Sequence, residues 1–240
     1  MLYEGKAKII YATDNPEVLI TYFKDDATAF NAQKKGQIVN KGVVNCKVTA
    51  YLYPLLEKQG IATHLLEPVG DREIRVKRVD IVPLEVVVRN LAAGSLCKQT
   101  DLALGTKLEP SLVEFYYKND DLGDPLLTRD RIFAMGISSA AQLDQLTQKA
   151  QLVNQVLSAF FASCGITLVD FKLEFGTDSQ GNLLLADEIS PDTCRLWDMA
   201  EPDERQRVMD KDRFRQDLGN VAEGYQSVLN RIMSQLTGIK

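Results

Sequence analysis

The stretch Val169-Asp170-Phe171-Lys172-Leu173-Glu174-Phe175 alternates apolar and charged residues without a break. A period of two fits an extended strand, which puts Val169, Phe171, Leu173 and Phe175 on one face and Asp170, Lys172 and Glu174 on the other. The turn formers Gly176-Thr177-Asp178-Ser179-Gln180-Gly181-Asn182 follow, and then Leu183-Leu184-Leu185-Ala186-Asp187-Glu188-Ile189 returns apolar and ends in two carboxylates. This predicts an antiparallel hairpin that brings Asp187 and Glu188 beside the charged row. Carboxylates grouped around a lysine suit Mg²⁺ and a triphosphate, because hard oxygen donors hold the cation while the ammonium neutralises phosphate. A solvated strand face with cross-strand ion pairs would look the same in sequence.

The rest of the chain sets limits on what surrounds this hairpin. At 240 residues it slightly exceeds the commonest single-domain size, so one compact unit of two lobes sharing a cleft is expected. Its 28 Lys+Arg against 33 Asp+Glu give −5, which argues against a coat for nucleic acid or anionic lipid. No apolar run approaches the roughly 20 residues that cross a bilayer, and the start shows no secretory pattern, so the cytoplasm is expected. Cys46, Cys97, Cys164 and Cys194 are too scattered for a zinc knuckle or disulfide frame. The single histidine, His64, has no carboxylate at ligand spacing and is read as structural, which removes most triads and zinc sites.

Strand signals at Leu2-Tyr3, 7–13 and 18–23 open the chain as a meander. A helix is predicted over 40–59, with Pro54 expected to kink or shorten it. Strands are predicted at 61–66, 73–79 and 84–89, the last two joined through Asp80-Ile81-Val82-Pro83, and 91–130 reads as irregular. Ser139 caps a predicted helix ending at Cys164-Gly165, and a last helix is expected over about 212–236. Strands lead and long helices follow without regular βαβ alternation, so the class is α+β.

Two further clusters carry chemistry. Gly5-Lys6-Ala7-Lys8 places a glycine at a strand turn and two lysines on one strand face, which suits phosphates or a plain edge strand. Arg89 with Ser95, and Asp192 with Arg195, combine guanidinium forks with hydroxyl-bearing turns, the equipment for a phosphate monoester or carboxylate as well as for structural arginines.

Taken in order, Gly5-Lys6-Ala7-Lys8, Val82-Pro83-Leu84-Glu85-Val86-Val87-Val88-Arg89-Asn90 with Ala93-Gly94-Ser95, Lys118-Asn119-Asp120 with Asp124-Pro125, Val169 to Gly176, Asp187-Glu188 with Ser190-Pro191-Asp192, Arg195-Leu196-Trp197-Asp198 and Lys211-Asp212-Arg213-Phe214-Arg215 resemble the SAICAR synthetase family nearly end to end. The resemblance implies a two-lobed α+β ATP-binding fold related to kinases and ATP-grasp enzymes, with a C-terminal helix. It further implies a mostly β ATP-binding lobe over 1–85, a central α+β lobe with substrate and metal residues over 86–205, a helical segment over 206–240, and a cytoplasmic homodimer. The implied reaction joins L-aspartate to the carboxylate of carboxyaminoimidazole ribonucleotide with ATP and Mg²⁺, through an acyl phosphate, in purine biosynthesis.

By the same resemblance, Lys6 and Lys8 face the ATP phosphates, Ala7 and Lys118 also bind ATP, and Lys77, Val79 and Ile81 meet adenine. Arg89, Ser95, Asp192 and Arg195 hold the ribonucleotide, Lys172 and Asp170 are catalytic with Lys172 near the reacting carboxylate, and Glu174, Asp187 and Asp124 ligate Mg²⁺. Residues 34–42 are assigned no contact. A small-molecule kinase and a non-catalytic nucleotide-sensing module are the competing readings; an ATPase rate indifferent to aspartate would favour the first, and ATP binding without ADP release the second.

Overall fold

The computed structural model describes residues 1–29 and 33–238. Its first sheet is built from short antiparallel strands, β1 (Tyr3–Glu4), β2 (Lys8–Ala12) and β3 (Val18–Phe23). A hairpin of β4 (Asp26–Ala29) and β5 (Lys34–Gln37), helix α1 (Lys41–Glu57), and strands β6 (Leu65–Pro68) and β7 (Glu73–Lys77) follow. The sheet order is β1-β2-β3-β7-β6, with β4 and β5 paired apart from it. The β4–β5 hairpin had no counterpart among the predicted strands. Pro54 does not cut α1 short: it sits in the last turn, where a missing N–H costs one bond, and Tyr53 and Leu56 on either side stay fully buried.

The second half begins with β8 (Asp80–Leu91), followed by α2 (Ser95–Gln99), β9 (Lys107–Tyr117), β10 (Leu126–Leu127), α3 (Arg129–Ala134), α4 (Ala140–Ser163), β11 (Ile166–Thr177), β12 (Leu183–Ala186), β13 (Cys194–Asp198), α5 (Asp212–Arg215) and α6 (Val221–Thr237). Asp80 to Pro83 is therefore strand rather than connector. The stretch from Leu91 to Asp130, read as irregular, contains the long strand β9, whose mixed Glu, Pro and Ser content hid its period. The expected last helix is broken: Asp217, Gly219 and Asn220 have φ of 54°, 73° and 47°, left-handed values that end α5 and reset the chain before α6.

Strand β11 is the centre of the second sheet, ordered β10-β9-β8-β11-β12. One edge pairs with β8, placing Asp170 opposite Arg89, Lys172 opposite Val87 and Glu174 opposite Glu85. Its other edge is shared: Ile166 to Phe171 pair with β13, and Glu174 to Thr177 with β12. Phe171, Leu173 and Phe175 join one continuous core with Leu143, Leu146, Ala150, Val153, Leu157 and Phe161 of α4. Ser139 caps α4 as its type and spacing require, accepting from the Gln142 N–H. The Thr63–Leu185 bridge and the Leu185 N–H to Ala62 carbonyl bond tie the chain ahead of β6 to β12, so the two sheets meet along one seam. The four cysteines are unpaired.

Candidate active site

Along that seam runs a cleft of about 710 Å³. Every residue expected from the sequence to serve the site lines it: Lys6, Ala7, Lys8, Lys77, Val79, Ile81, Lys118, Arg89, Ser95, Asp192, Arg195, Lys172, Asp170, Glu174, Asp187 and Asp124.

At the middle of the cleft, the register of β11 and β12 sets Glu174 opposite Ala186, so Asp187 emerges one residue beyond the paired strand end. Asp187 has φ 60°, a left-handed turn that ends β12. Lys172 Nζ lies 2.5 Å from Glu174 Oε1, 3.1 Å from Asp187 Oδ2 and 3.3 Å from Glu85 Oε1. Burial works against the Lys172 ammonium, but Asp187 and Glu174 outweigh it and hold its pKa well above the usual lysine value. Burial likewise opposes the Asp187 carboxylate, while Lys172 and Lys8 pull its pKa well below the usual range. The charged row is thus an ion-paired cluster on the cleft wall, with Asp170 and Glu174 buried and Lys172 partly exposed.

Around this centre, Lys8 pairs with Asp187 and lies 3.6 Å from Glu188. Lys118 reaches Glu174 at 2.8 Å, and the exposed Lys6 reaches Asp120 at 2.6 Å. Each of the three other lysines expected at ATP, Lys6, Lys8 and Lys118, is neutralised here by a carboxylate that a phosphate group could replace, whereas Lys77 was expected at adenine. Asp124 stands apart from the Glu174–Asp187 pair: its Oδ1 accepts the Asn119 N–H and shapes its own loop. Among the described residues no three His, Cys, Asp or Glu side chains gather as a metal cage.

The donor set nonetheless fits Mg²⁺. Glu174 on β11 and Asp187 just past the end of β12 offer hard oxygens, and Glu188 Oε2 is buried with no hydrogen-bond partner among the described residues. Mg²⁺ in nucleotide sites commonly takes one or two carboxylates and completes its shell with phosphates and water.

At one end of the cleft, Asp170 Oδ2 accepts from Arg89 Nη1 at 2.8 Å and from Arg195 Nη1 at 2.7 Å. That oxygen is spent aligning two guanidinium groups. Arg89 is buried and fully engaged: Nε bonds Glu114, Nη1 also bonds the Ala93 carbonyl, and Nη2 bonds Ser95 Oγ and Tyr116 Oη. Arg195 holds Asp212 through Nε at 2.8 Å, and its Nη2 has no partner among the described residues. Gly94 lies against this fork; a Cβ there would stand 2.4 Å from Arg195 Nη2.

Sequence reading missed several participants. Glu85 and Tyr116 share strand faces with Lys172 and Arg89, which the β8–β9 register makes plain only after folding. Residues 34–42, assigned no contact, do not line the cleft, but Lys41 reaches the cleft-lining Asp192, its Nζ 2.7 Å from Oδ2, while Lys34 pairs with Asp217 away from that lining. His64 lines the cleft while its ring packs on Tyr53, with centroids 5.9 Å apart.

The chain matches the SAICAR synthetase family over residues 1–232. It is 62% identical over 234 residues to phosphoribosylaminoimidazole-succinocarboxamide synthase of Acaryochloris marina (strain MBIC 11017), covering 98% of this chain and 96% of that one. The crystal structure of the synthase of that name from Ehrlichia chaffeensis superposes with a TM-score of 0.93 at 46% identity, covering 97% of this chain and 98% of the other. A SAICAR synthetase in complex with ADP gives 0.92 at 45% identity, covering 97% of each chain.

Proposed function

The chain belongs to the SAICAR synthetase family, and from that premise we infer that its cleft carries out the family's ATP-dependent ligation in purine biosynthesis. L-Aspartate and the carboxylate of carboxyaminoimidazole ribonucleotide are the groups joined. A carboxylate is a poor acylating agent, so its oxygen first attacks the γ-phosphorus of ATP, the bond to the β-phosphate oxygen breaks, and ADP leaves. The aspartate amine then attacks the acyl carbon, loses a proton, and expels inorganic phosphate as the amide forms. No imidazole is required.

In this reading Lys6, the Ala7 backbone, Lys8 and Lys118 take the phosphates, and Lys77, Val79 and Ile81 take the adenine end. Lys172 faces the transferring phosphoryl group, where an ammonium already held among carboxylates needs little reorganisation. Glu174 and Asp187 would hold Mg²⁺, with Asp124 further out. Bound there, Mg²⁺ supplies charge neutralisation on the phosphate oxygens. Arg195 and Ser95 receive the ribonucleotide phosphate beside Arg89, Asp170 aligns the two arginines, and Asp192 completes that end. The cytoplasmic homodimer implied by the resemblance belongs to the same proposal.

The observation that carries the reading is the single cleft in which a lysine–carboxylate row for a nucleotide runs into a separate arginine–serine cradle for a second phosphate. Release of ADP is expected only with ATP, Mg²⁺ and the ribonucleotide carboxylate together, and the succinocarboxamide only when L-aspartate is added. Rapid ADP release from ATP alone, or equal use of L-glutamate, would overturn it.

A further inference from the structure

Lys41 is the first residue of α1, and its side chain is 1% exposed. Both facts are costly: a buried ammonium loses its hydration, and a cation at a helix N-terminus meets the wrong end of the helix dipole. Its partner, Asp192, is 4% exposed in the turn between β12 and β13. The other carboxylate oxygen of Asp192 accepts from Tyr225 Oη of α6 at 2.6 Å. Two helices outside both sheets thus converge on one carboxylate that lines the cleft. A buried ion pair of this kind seldom adds net stability over apolar packing, so its retention calls for another reason.

The local geometry supplies one. Ser190 Oγ accepts the Asp192 N–H at 3.1 Å, and the Pro191 carbonyl accepts the Lys211 N–H at 3.0 Å, so the turn is anchored on both sides. Three residues beyond Asp192 stands Arg195, at the same end of the cleft as Lys211 and Arg215. Lys41 and Tyr225 each use one lone pair of the Asp192 oxygens, and the remaining lone pairs are left for a ligand donor.

We propose that Lys41 and Tyr225 are positioning residues for the ribonucleotide end of the cleft, fixing the place and orientation of the Asp192 carboxylate, so that the C-terminal helix α6 is part of the active site. This rests on the ribonucleotide reading given above.

The test uses the full-length enzyme with Tyr225→Phe, Lys41→Met and Lys41→Arg. Tyr225→Phe removes one hydroxyl and should raise the ribonucleotide KM about tenfold, the loss of one charge-assisted hydrogen bond. The ATP KM should stay within twofold, and kcat should change less than the ribonucleotide KM. Lys41→Met should act in the same direction more strongly, with Lys41→Arg restoring part of the loss; if Lys41→Met does not fold, Tyr225→Phe decides. Calorimetric binding of the ribonucleotide without ATP should weaken in parallel. Unchanged ribonucleotide KM and Kd in Tyr225→Phe would overturn the proposal, as would equal rises in both substrates' KM alongside a fallen Tm. Wild-type enzyme that forms no succinocarboxamide would instead overturn the functional reading beneath it.

Discussion

Arg89 and Arg195 share one carboxylate yet differ in what they have left to offer. All five N–H groups of Arg89 are spent inside the protein, whereas Arg195 keeps Nη2 without a partner among the described residues. Lysine cannot reproduce a guanidinium fork. Arg195→Lys should therefore raise the ribonucleotide KM roughly tenfold to a hundredfold, for a loss of about 1.5–3 kcal/mol, and leave the ATP KM within twofold. Arg89→Lys should instead lower Tm more than Arg195→Lys does, because it takes the guanidinium fork from the part-buried Glu114 and leaves Asp170 with Arg195 alone; steady-state kinetics and melting curves on the pair check both. At Asp187 the left-handed backbone makes asparagine a safe probe, since Asn tolerates that region well. Asp187→Asn and Glu174→Gln should each reduce turnover roughly 100-fold, with partial rescue by excess Mg²⁺. Near-normal rates in both would return this row to a structural ion pair. Lys172 and Glu174 could be read from strand period because alternation assigns a face. Lys41 could not: a lysine opening a helix reads as exposed, and only the tertiary placement of Asp192 gives it a reason to be buried.

Strand β11 was legible because its period of two is uninterrupted, and α4 because its apolar stripe runs from a serine cap to a glycine stop. The connection into β8 was not, since Asp80-Ile81-Val82-Pro83 has the composition of a turn and becomes strand only by pairing with Gly176 and Thr177. The pairing shifts register between Glu174 and Gly176, a bulge that lets the backbone swing close to the connector. A Cβ on Gly176 would sit 2.6 Å from Val79 Cγ2 and 3.1 Å from the Asp80 carbonyl oxygen, so this glycine is required by close approach rather than by its φ. Val79 lines the cleft beside Lys77 and Ile81, where the adenine end is proposed. Gly176→Ala must displace that connector. The ATP KM should rise several-fold while the ribonucleotide KM, governed by the far end of β11, stays within twofold; the reverse split would mean that adenine lies elsewhere.

Two buried groups, His64 and Asp210, oppose each other in their response to acid. Burial, which outweighs the attraction of Asp187, pushes the His64 pKa from 6.5 down to about 4. Burial and the neighbouring Asp212 carboxylate push the Asp210 pKa from 3.8 up to about 7, despite the N–H groups of Leu196 and Asp212 that its oxygens accept. For His64 the unfolded chain takes up its proton first, so this group's stabilisation is present above about pH 6.5 and is lost as pH falls toward 4. For Asp210 the folded protein holds its proton more tightly, so its stabilisation is full below pH 3.8 and is lost as pH rises through about 7. The two act in the same window with opposite sign, each worth on the order of 3 kcal/mol across it at about 1.4 kcal/mol per unit of pKa. Urea unfolding at pH 6.5, 5.5 and 4.5 separates them. Relative to wild type, His64→Gln should gain stability as pH falls, because its acid-sensitive contribution is gone. Asp210→Asn should lose stability relative to wild type over the same steps. Below about pH 4 the depressed carboxylates Asp187 and Asp192 dominate instead, and all three proteins should weaken together. Parallel stability curves for the three proteins between pH 6.5 and 4.5 would show that neither group shifts on folding as its burial dictates.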